Sequence, residues 1–150
     1  MELKRLLKSL GACEEAVRWV GDMELNEAWE KCERADWMLW LVCEMEGKKG
    51  WPDRKQLVLA ACACAETALK YVPADEQGPR KAIETARAWT RGDATLDDVR
   101  KASSAAYAAA YADASAAAAA SDAAYDAARA KALAEMAVIV RSILVFPVEK

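Results

Sequence analysis

The chain has 150 residues, 55% of them apolar and 30% charged, which is enough for one domain with a real core and excludes a disordered chain. A formal net charge of −3 and a pI of about 5.2 argue against a strongly basic nucleic-acid surface. No histidine occurs, so the commonest general base and metal ligand are both missing.

Glycine and proline punctuate the chain at Gly11, Gly21, Gly47 to Pro52, Pro73 to Pro79, Gly92 and Pro147. Between them nearly every run carries helical spacing, and none alternates as a strand would. The opening segment predicts a helix from about Glu2 to Leu10, with Leu3, Leu6, Leu7 and Leu10 in one stripe. It mixes Lys and Arg into that stripe and has no apolar core of a secretory signal. A short helix over Glu14 to Val20 presents Cys13, Ala16, Val17 and Val20. A third, Asn26 to Glu33, places Trp29 and Cys32 together and can run on into Asp36 to Glu46. There Trp37, Trp40, Leu41 and Met45 share a face.

After the basic turn Gly47 to Pro52, Asp53 is placed to cap a helix through Tyr71, with Leu57, Ala60, Ala61, Cys64, Ala68 and Tyr71 inward. Pro79 suits a helical first turn leading through Ile83, Ala86 and Trp89 to Gly92. Trp37, Trp40 and Trp89 are expected mainly in the core. The segment Thr95 to Asp98 reads as a capping box with Asp in place of Glu, and no Gly or Pro follows until Pro147. Tyr107, Tyr111, Tyr125, Met136, Ile139 and Ile143 stay in one sector, which favours one long Ala-rich helix. The alternative is an antiparallel hairpin broken near Asp113 to Asp122. The Ala face of that helix suits close packing on another helix, in the same chain or in a second copy.

The five cysteines and the missing signal segment point to free thiols in a reducing, cytoplasmic compartment. Cys62 and Cys64 lie about 200° apart on a helix, so they cannot share a metal or a disulfide there. They read as buried structural residues, and metal is not expected. Ala102 to Ala120 is the nearest approach to a membrane span, but it is weakly apolar and interrupted by Asp113. No glycine-rich phosphate loop occurs, and no cofactor is expected. The carboxylates Glu66, Glu84, Asp97 and Asp98 show no pairing that singles out acid–base chemistry. The Lys48, Lys49, Arg54 and Lys55 cluster around Trp51 reads as a solvated turn. In the N-terminal part, Glu14, Glu15, Asp22, Glu24, Glu27, Glu30 and Glu33 outnumber Arg18 and Lys31. A concentrated negative face can steer and hold a basic protein, such as a nuclease or a DNA-binding protein. These seven acids are the candidate partner-binding residues.

Three stretches carry a family resemblance: ADWMLWL (Ala35 to Leu41), LVLAACACAETAL (Leu57 to Leu69) and PRKAIETARAWTRGDAT (Pro79 to Thr95), the last followed by the Tyr-punctuated Ala tract. From Ala35 to about Ala132 the chain resembles the alanine-rich immunity proteins of the immunity-protein-five-like domain family, which occur in bacteria and phages. Relatives carry histidine within the Ala tract; this chain has none, so no histidine role carries over.

The expected architecture is a single all-α domain over 1–150, a helical bundle of about six helices with a long Ala-rich C-terminal helix. It comprises N-terminal helices in 1–34, the family-like region in 35–132, and the helix end and tail in 133–150. The resemblance implies a non-enzymatic inhibitor that blocks a toxin or effector by direct contact. Two other readings stand beside it. One is a phage-encoded inhibitor of a host defence or host enzyme. The other is a structural protein that forms homo-oligomers through the Ala-rich helix.

Overall fold

The structure, a computed structural model, describes residues 2–67, 69, 74–101 and 122–144, with the helix path alone given for 122–129. The regular elements among these residues are α-helices, apart from a 3-10 turn at residue 69. The helices are α1 (Leu3–Ser9), α2 (Glu14–Val20), α3 (Leu25–Lys31), α4 (Ala35–Glu44), α5 (Arg54–Glu66), α6 (Gly78–Thr90), α7 (96–101) and α8 (Asp122–Ile143).

The expected bundle of about six helices is therefore too few. The difference lies mainly at Cys32 to Arg34, where α3 and α4 are separate helices. Cys32 is extended there (φ −70°, ψ 125°), although the segment holds neither Gly nor Pro. The break is held by a distant side chain. Arg141 Nη1 on α8 donates to the carbonyl oxygens of Trp29 at 3.2 Å and Cys32 at 2.7 Å, on the last turn of α3 and at the break. Residues 102–121 lie outside the described residues, and with them Tyr107, Tyr111 and the choice between a continuous helix and a hairpin.

Local chemistry explains the other boundaries. Asp53 closes a capping box on α5: its carboxylate accepts from the Gln56 amide at 2.9 Å, and the Gln56 side chain accepts from the Asp53 amide at 2.9 Å. Thr95 and Asp98 exchange the same pair of bonds at 2.9 and 3.1 Å to start α7. Gly47 and Gly50 adopt φ of 79° and 86° in the α4–α5 turn, a region where a side chain would be strained. Helix α5 ends at Glu66; Ala68 and Tyr71, read as inward residues of this helix, lie outside the described residues. Thr67 Oγ1 donates to the Cys64 carbonyl at 2.6 Å and satisfies it as the helix ends.

Two packed clusters form the interior, and α4 serves both. Its Ala35, Met38 and Val42 join Trp29, Cys32, Ala60, Cys64, Ala137, Val140 and Leu144. Its Leu41, and Met45 just past its end, join Leu3, Leu7, Val20 and Ala28. Of the stripe read from the sequence, Trp40, Leu41 and Met45 meet this second cluster, whereas Trp37 packs against the first. On α8 the residues with no exposure are Ala137, Val140 and Leu144, while Met136, Ile139 and Ile143 flank them partly buried. Helix α5 packs between α6 and α8. Cys62 Sγ faces the Ile83 carbonyl at 3.9 Å and Cys64 Sγ faces the Met136 carbonyl at 3.8 Å, so the two thiols do point to opposite neighbours. Ala61 is exposed, contrary to its inward reading.

The tryptophan expectation needs correction. Trp37, Trp40 and Trp89 are only partly buried; the deeply buried one is Trp29, at 5% exposure. Helix α6, which carries Trp89, has no fully buried residue because it forms an outer layer on α5. No helix among the described residues is long and apolar enough to cross a membrane.

Candidate functional site

The seven N-terminal acids fall on α2, the α2–α3 turn, α3 and the α3–α4 turn, and all are exposed. They do not form one uninterrupted negative face. Glu27 is paired with Lys31 Nζ at 2.6 Å, and Glu15 lies 3.6 Å from Arg34 Nη1. Glu14 shares a shallow hollow with Lys4, Lys8 and Arg18, where bases outnumber the acid. Glu24, Glu27, Glu30 and Glu33 recur every three residues on and around α3, with Glu27 paired to Lys31.

Several other charged groups singled out in the sequence have local partners. Glu46 binds Arg54 through two contacts of 2.9 and 3.0 Å, which removes one charge from the basic turn and holds the Arg54 guanidinium above its ordinary pKa. Trp51 in that turn packs against both interior clusters instead of standing free as a stacking surface. Glu66 pairs with Arg87 at 2.8 Å and Asp97 with Lys101 at 3.1 Å. Asp98 serves as a cap, and the Thr95 bonds hold its carboxyl below the usual range.

Cys32, Cys62 and Cys64 are buried, and desolvation pushes all three thiols up in pKa, which keeps them protonated and unreactive. Cys62 and Cys64 are thus buried as their spacing suggests, while Cys13 and Cys43 are exposed. Among the described residues no three His, Cys, Asp or Glu side chains gather to hold a metal ion.

A feature that the sequence reading missed is an apolar, partly open pocket of about 450 Å³ between α1, α2, α3 and α4. Gly11, Ala12, Ala16 and Ala28 leave the space, and Trp29 and Met38 line its wall. Trp19 and Trp37 also line it, with ring centroids 6.0 Å apart and planes tilted by 58°. Trp19 is 37% exposed, high for an indole among apolar neighbours. Arg34 lies over Trp37 at 4.3 Å from the ring centre and grips Asp36 with two bonds of 2.9 and 2.7 Å. This grip holds the Asp36 carboxyl below its ordinary pKa. A signal for the pocket does exist in the sequence: four of the six tryptophans fall before residue 41, interleaved with small residues. Periodicity assigns such residues to a core and has no means of showing that the core is incompletely filled.

A family model described as “Imm-5 like putative immunity protein” matches residues 51–138, more than half of the chain. The chain belongs to this family. The match runs from Trp51 through α5, α6 and α7 and into α8 as far as Val138. Two of the three resembling stretches, Leu57 to Leu69 and Pro79 to Thr95, lie within it; Ala35 to Leu41 lies before it. No curated protein and no solved structure matched the chain. The family supports an immunity-like role with a protein as partner in general. The apolar pocket and all seven N-terminal acids lie outside the matched segment.

Proposed function

We propose that the chain is a non-enzymatic, cytoplasmic immunity protein that blocks a basic toxin or effector by direct contact. The observation that carries this reading is the family match over residues 51–138. The contact we assign is the acidic set Glu14, Glu15, Asp22, Glu24, Glu27, Glu30 and Glu33, with the α3 run at its centre. Exposed acids accelerate encounter with a basic partner and disfavour acidic ones. We also read residues 1–150 as one domain, supported by the two clusters that meet on α4.

The test is co-expression with each toxin encoded beside the gene. The chain should restore growth, and the combined variant Glu24→Lys, Glu27→Lys, Glu30→Lys, Glu33→Lys should not. No rescue from any neighbouring toxin sinks the immunity reading. Rescue that survives the charge reversal sinks the acidic contact alone.

A further inference from the structure

We propose that the pocket between α1, α2, α3 and α4 is a binding site for an uncharged, ring-bearing apolar small molecule. Its volume of about 450 Å³ falls in the range of small-molecule sites. It is distinct from the protein contact proposed above, since the acids there are exposed while the pocket faces inward between the helices.

Charge balance selects the class of occupant. Among the described residues Asp36 is the only charged one that lines the pocket, and its carboxylate is already held by the Arg34 guanidinium through two bonds. An ionised ligand would lose its hydration and find no opposite charge left to receive it. The other side chains that line it among the described residues are aliphatic, aromatic or sulfur-bearing, so the wall asks little polar chemistry of a ligand. An apolar occupant therefore suits most of the wall.

The two indoles argue for a ring. Trp19 and Trp37 stand tilted at 58°, so a flat ring beside them stacks on one and meets the other edge-on, both favoured arrangements. Arg34 over Trp37 fixes the plane of that indole before any ligand arrives, which lowers the ordering cost of binding.

Cys13 supplies an internal reporter. It lines the pocket and is exposed, whereas Cys43 is exposed but not part of the lining. The experiment titrates the full chain with N-phenyl-1-naphthylamine, a neutral probe, while iodoacetamide alkylation of each cysteine is followed by mass spectrometry. We expect saturable binding of one probe per chain, slower alkylation of Cys13 and no change at Cys43. The sulfonated analogue of the same rings should bind roughly tenfold or more weakly. Ala12→Phe, which puts a ring in the space, should weaken the neutral probe by roughly tenfold or more, with the helical circular dichroism unchanged.

The wild-type alkylation comparison stands even if that variant misfolds. Absence of saturable binding, or equal effects on Cys13 and Cys43, overturns the proposal. So does tighter binding of the sulfonate. A probe-free chain that elutes as a dimer with Cys13 already protected would show that a second copy fills the pocket instead. Loss of growth rescue has no bearing on these readouts, so the two proposals fail separately.

Discussion

Arg34 joins three neighbours: it grips Asp36, covers Trp37 and reaches Glu15 at 3.6 Å. Because its hydrogen bonds hold the Asp36 carboxyl below the ordinary value, the folded state is favoured wherever Asp36 is ionised in both states. That contribution is complete above the ordinary Asp range and is lost as pH falls through the lowered value. Asp36→Asn should therefore flatten the acid limb of a plot of urea-melt stability against pH; parallel acid limbs for the two proteins would refute this. The group is more than a third exposed, so the effect is a modest one. Trp29 represents the opposite extreme, with its ring inside the larger cluster. Trp29→Ala should cost about 3–5 kcal/mol in thermal or chemical melts. Trp89→Ala, on the outer helix, should cost less, and equal losses would contradict the layering. Nothing in helical periodicity separates these two indoles; the number of layers covering each one does, and that is a tertiary fact.

Helix boundaries were legible where the chain carries its own caps. Asp53 with Gln56 and Thr95 with Asp98 satisfy amides from within four residues, so sequence alone places both starts. Asp53→Ala should cost about 1 kcal/mol by opening the first turn of α5, measured as a drop in melting temperature. A neutral result would mean that tertiary contacts alone hold that turn. The α3–α4 break was illegible for the opposite reason: its carbonyl partners come from Arg141, more than a hundred residues away. The Ala tract, whose small side chains suit close helix approach, falls largely in 102–121, outside the described residues. Where such approach can be seen, it lies between α5 and α8, with Ala60 and Ala137 both fully buried and the Cys64 thiol against the Met136 carbonyl. Ala137→Leu should force these helices apart at a cost of about 1–3 kcal/mol. If melts in dilute and concentrated samples shift alike, the contact is within one chain; a shift confined to dilute samples would place it between chains.

At the scale of the molecule, the all-helical class was plain from spacing and punctuation, and the family from three stretches of residues. The pocket was not, because a void is set by what several helices together fail to fill. The acidic set was visible as composition, but its division by Lys31, Arg34 and the basic hollow beside Glu14 emerges only once helices meet. The Arg141 clasp also sets a schedule for synthesis. Trp29, Cys32, Ala35 and Met38 leave the ribosome early, yet their cluster closes only on Val140 and Leu144. Cys32 and Arg141 are 109 residues apart, so at ordinary translation speeds the early helices wait roughly 5–20 s for their last wall. Throughout that interval Trp29 and Val42 face whatever chaperone is at the tunnel exit. Arrest-peptide measurements should register folding force only after Leu144 has emerged. An earlier force peak would show that the N-terminal helices close without α8.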